Sequence, residues 1–79
     1  MSEILNAETA QLSAVRLLRC QETQRYYTGE GWTDNPTHAQ PFPNEEEAVR
    51  ACSSHDLHKI ELVLRDPVAG KELSARPIR

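Results

Sequence analysis

Two cysteines and three histidines are the residues of this chain best suited to ligation or nucleophilic chemistry. Cys52-x-x-His55-x-x-His58 sets a thiol and two imidazoles three apart, with His38 a further donor upstream. At the end of a helix that spacing can turn two or three donors the same way, and zinc takes about four such ligands in a tetrahedron. Structural zinc sites bring paired Cys-x-x-Cys or His-x3-His arms, and neither occurs here. The favoured reading therefore puts Cys52 on a buried stripe, leaves His55 and His58 as polar residues at a helix exit, and expects no metal or other cofactor.

The same residues could make a nucleophile and base, as Cys52 with His55 or Cys20 with a distant histidine. No local signature supports it. The chain lacks a Gly-x-Ser-x-Gly elbow and a His-Glu-x-x-His motif, and Gly29-Glu30-Gly31 lacks the third glycine of a phosphate-cradling loop. Glu45-Glu46-Glu47 is not a catalytic pair, because consecutive helical residues point about 100° apart. The expectation is a protein that is not an enzyme.

A third constellation is Arg25, Tyr26, Tyr27 and Trp32. Sheet-borne aromatics stack unpaired bases and arginine holds phosphates, so the group suggests single-stranded nucleic acid. Strand alternation, however, sends Tyr26 and Tyr27 to opposite faces, and a small core claims one of them together with Trp32. Nine Lys and Arg against twelve Asp and Glu, a net charge of −3, also argue against a phosphate partner.

The elements that position these residues follow from pattern. Residues 1–12 form an N-terminal arm, either frayed or a short helix capped by Ser2, carrying Ile4, Leu5 and Leu12. Between Ser13 and Glu22, Val15 and Leu17 alternate with Ala14, Leu18 and Cys20, which fits a strand with both faces partly covered. Thr23-Gln24 interrupts it, and Arg25-Tyr26-Tyr27-Thr28 resumes as the second strand of a hairpin, with a bulge or tight turn at Gly29 and Gly31 before that strand ends near Thr33. A single helical turn over 37–40 can turn Ala39 inward, and Phe42 anchors a stiff connection between Pro41 and Pro43. Asn44 then caps a helix whose first turn is Glu45, Glu46 and Glu47, with Ala48, Val49 and Cys52 as its apolar stripe. Ile60, Leu62 and Leu64 alternate with Lys59, Glu61 and Val63 in the clearest strand. Asp66 to Gly70 is a turn into a last strand over 71–75, stopped by Pro77.

This order predicts an α+β fold, a small antiparallel sheet of three or four strands in ββαββ order with one helix on one face. The domain spans residues 13–76 and the tail 77–79 is loose. At 79 residues the chain is one domain, with too little apolar mass for an enclosed cofactor cavity beside a core. The first residues lack the charge and apolar run of a signal peptide, no stretch is apolar enough for a membrane span, and two cysteines in such a chain read as reduced thiols of a cytoplasmic protein.

From Arg25 to Leu64, the order Tyr26-Tyr27, Gly29-x-Gly31-Trp32-Thr33, Ala39-x-x-Phe42 and Glu46-Glu47-Ala48 resembles a pattern found in short uncharacterised bacterial proteins. The resemblance covers about half of the chain and implies a hairpin, helix and returning strand. It brings no activity or site residue with it.

What remains is interaction. A sheet with one helix leaves a face open, and Val63 with Leu17 or Leu18 would lie there, better buried against a protein partner or a second copy. The arm offers an intramolecular cover for the same face. The leading expectation is a non-enzymatic interaction or accessory module, homodimeric through its sheet, with Val63, Leu17, Arg25, Tyr26 and Trp32 as contact residues. Nucleic-acid binding through the hairpin aromatics is the second reading, and metal binding by Cys52, His55 and His58 the third.

Overall fold

Asn44 sets the start of the helix. In the structure, a computed structural model that describes residues 14–79, its side-chain carbonyl accepts the Glu47 N–H at 2.9 Å and the helix α1 runs Glu45–Ser54. The Glu47 carboxylate accepts from Arg50 at 2.9 Å, one turn on, and does not complete a capping box. Replacing Asn44 with alanine orphans a helix-end donor; a loss of about 1 kcal/mol, or roughly 4–8 °C in Tm, is expected by thermal circular dichroism. Asn44→Ser should keep the cap, and an unchanged Asn44→Ala melt would show that the cap contributes nothing.

The other end of α1 is a Schellman closure. Asp56 adopts the left-handed region (φ 52°), Leu57 N–H donates back to the Cys52 carbonyl at 2.9 Å, and Leu57 packs on the core. That hydrophobic contact normally accompanies the motif, with glycine in the place Asp56 takes here.

The expected α+β class holds, with more strands than the pattern predicts. Strands β1 (Val15–Cys20), β2 (Tyr26–Tyr27), β3 (Trp32–Thr33), β4 (Ile60–Asp66) and β5 (Lys71–Pro77) form an antiparallel sheet in the spatial order β3-β2-β1-β4-β5. The element order is βββαββ, not ββαββ. The difference arises at Gly29, where φ of 98° reverses the chain, so that Tyr27 pairs with Trp32 and the expected single strand becomes two short ones. Thr28 Oγ1 accepts the Gly31 N–H at 2.9 Å within that turn. The conformation is what requires glycine: a Cβ at Gly29 would lie 2.5 Å from the Gln40 side-chain oxygen, but that is the movable end of an exposed side chain.

The register of β1 against β4, from Val15 opposite Arg65 to Cys20 opposite Ile60, assigns the faces. Leu18, Ile60 and Leu62 face α1 and join Tyr27, Phe42, Ala48 and Cys52 in the main core, as the alternation in β1 and β4 and the helix stripe predict. Val49 departs from the expected stripe and is exposed. Leu17 and Val63 face the other way and pack with Ala39, which the 3-10 turn Pro36–His38 delivers to that side. Phe42 donates its N–H to the Arg16 carbonyl, which extends the β2 side of β1.

Two expectations about the chain ends are answered differently. The arm, residues 1–12, lies outside the described residues. The tail is held: Ile78 N–H donates to the Ile60 carbonyl, Arg79 accepts from Ile60, and Ile78 packs on the main core. Pro77 ends β5 but not its attachment, because the ladder to β4 passes on to the next residues.

Candidate functional site

Cys52 belongs to the main core and is fully buried, whereas His55, His58 and His38 are exposed. The His55 ring lies 5.7 Å from that of Tyr27, and His58 Nε2 is 2.8 Å from Asp56 Oδ1. The sequence spacing therefore does not become a ligand set, and among the described residues no three His, Cys, Asp or Glu side chains are grouped to hold a metal. The left-handed Asp56 turns the chain away from the helix axis before His58, which breaks the i, i+3 line-up.

The cysteines differ electrically as well as in exposure. Hydrogen bonding from the Thr23 side chain, with the backbone N–H of Thr23, holds the Cys20 thiol below its usual pKa. Burial pushes Cys52 upward, opposed only in part by the charge of Arg79. Alkylation of the native protein near neutral pH is expected to modify Cys20 and spare Cys52, which should react only on unfolding. The folded state thus favours the neutral Cys52 thiol, so its contribution to stability is complete below the unfolded thiol pKa of about 8.5 and is lost as pH rises beyond it. Equal alkylation rates at both positions would refute this assignment.

The aromatic constellation is split. Tyr26 lies on the face away from α1, half-buried, with the Arg19 guanidinium 5.7 Å from its ring centre. Tyr27 is buried on the α1 side and meets Trp32 edge-to-face at 5.6 Å. Trp32, expected in the core, is 41 % exposed because β3 is an outer strand with nothing beyond it among the described residues. Arg25 sits beside Trp32 at a shallow depression shared with Cys20 and Thr23, and pairs with Asp34 at 3.2 Å. One exposed ring and one arginine come together, not a row of stacking platforms.

Leu17 and Val63 need a correction. They lie on the face opposite α1, as expected, but are almost wholly buried and thus are core, not contact surface. On this face Arg19 forms a network that the sequence reading missed. Its Nε donates to Glu61 at 2.6 Å, and its Nη1 donates to Glu72 at 2.6 Å and to the Tyr26 hydroxyl at 3.3 Å. Burial alone would lower the Arg19 pKa, but the hydrogen bonds it donates to Glu72 and Glu61 outweigh that and hold the guanidinium above its usual value. The signal was present: Arg19 follows Val15 and Leu17 on one face of β1, and Glu61 precedes Val63 on the matching face of β4.

The exposed surface with the most unmet pairing capacity is β5. It is the outer strand opposite β3, pairs only with β4 among the described residues, and is exposed at all seven positions. A break in the register between Leu64 and Arg65 leaves Leu73 out of the ladder, and its side chain is half exposed. Between β5 and α1 runs an open cleft with Leu62 and Leu64 on its floor and Arg16, Ser74, Arg76 and Glu45 at its rim. Arg76 and Glu45 form an ion pair across it, while Arg16 donates to the Pro43 carbonyl at 3.3 Å. A helix about 10 Å across covers only two or three strands spaced 4.8 Å apart, which is why the β5 side of a five-stranded sheet lies open.

No family model matches the chain, and neither a curated protein nor a solved structure matches it significantly.

Proposed function

We propose that this protein is a non-enzymatic interaction module that engages a protein, in the first instance a second copy of itself, through the β5 side of its sheet. The observation that carries this reading is β5: an outer strand of seven exposed residues beside a cleft floored by Leu62 and Leu64. Exposed strand edges pair readily with another chain, and the exposed Leu73 on β5 itself adds apolar area. The Leu73 irregularity and Pro77 shorten the edge that can pair, which favours a limited, specific contact over open-ended sheet growth. The free thiols of Cys20 and Cys52 support a reducing, cytoplasmic setting. Among the described residues, no helix is long and apolar enough to cross a membrane.

The test is native mass spectrometry with light scattering on the untagged chain, compared with Leu73→Lys and Ala75→Pro. Both positions are exposed, so Leu73→Lys should fold with a near-native Tm. The expected result is a dimer for the natural sequence and monomers for the variants. A natural sequence that stays monomeric up to its solubility limit would overturn self-association through β5, and a dimer unaffected by both substitutions would place the interface elsewhere.

The second reading, nucleic acid, retains only Trp32 and Arg25 at one depression. Tyr26 lies on the far face of the sheet, so the geometry gives it less support than β5 gives the first.

A further inference from the structure

We draw no further inference here: the strongest candidate, the open edge of β5 with the cleft between it and α1, belongs to the surface already proposed, and nothing in the structure shows what else covers it.

Discussion

Val63→Asp is expected to unfold the chain outright, not to release a partner from an intact domain. Val63 is fully buried, flanked by Leu17 on β1 and Ala75 on β5 and packed in the cluster that contains Ala39. An aspartate there would lose its hydration; of the arginines on that face, Arg19 already holds Glu61 and Glu72, and Arg65 lies two residues along β4, opposite Val15. Burying an unpaired carboxylate costs more than about 4 kcal/mol. A chain this short seldom has more than about 5 kcal/mol of stability in total, so one substitution removes nearly all of it. Far-UV circular dichroism should show loss of the cooperative melt. The milder Val63→Ala should stay folded and lose about 2 kcal/mol, roughly 10 °C in Tm. If Val63→Asp melts like the natural sequence, Val63 does not occupy the core position assigned to it.

Arg19→Met carries the second large effect. The guanidinium connects four strands, reaching Tyr26 on β2, Glu61 on β4 and Glu72 on β5 from its own place on β1. Its side chain and that of Glu61 are only 11 % and 16 % exposed, whereas Glu72 is 43 % exposed. Most of the loss therefore falls on Glu61, left with a partly buried charge, while water can compensate Glu72. Breaking a buried pair costs about 3–5 kcal/mol and an exposed one well under 1, so a loss of about 2–3 kcal/mol is expected at neutral pH. A double-mutant cycle separates this from simple packing loss: Glu61→Gln, which removes the charge that Arg19→Met strands, should recover part of the deficit in thermal melts. A variant as stable as the natural protein at neutral pH, or one whose deficit Glu61→Gln leaves unchanged, would show that the network is ornamental to the fold.

The parts of the fold visible in the sequence are those where one local rule suffices. Asn44 before three glutamates specifies a helix start whatever lies elsewhere, and the alternation of Ile60, Leu62 and Leu64 specifies a strand face. Ala39 and Phe42 were readable as inward residues because prolines limit the conformations around them. The strand count was not readable. Tyr26–Tyr27 and Trp32–Thr33 are two residues each, too short for any periodicity, and only the conformation at Gly29 separates them. Burial of Leu17 and Val63 likewise depends on the 3-10 turn crossing to their side, a tertiary event with no signature in either strand. The Cys52, His55 and His58 constellation reads as a helix exit, with Cys52 on the buried stripe and the histidines exposed; the chain reverses at Asp56, and spacing alone does not carry that reversal.

The central ladder also governs the order in which the molecule can assemble. The meander β1–β2–β3 and the hairpin β4–β5 are each made from neighbours in sequence, but β1 meets β4 at a sequence separation of forty to fifty, Cys20 with Ile60 and Val15 with Arg65. Closing so long a loop precedes most of its reward, which makes folding slower than that of a helical bundle built from local contacts. During synthesis the inner edge of β1 emerges well before the strand that will occupy it. For that interval the nascent chain presents Leu17 and Leu18 on a strand with an unsatisfied backbone, and whatever delays β4 prolongs the time in which another strand can take its place.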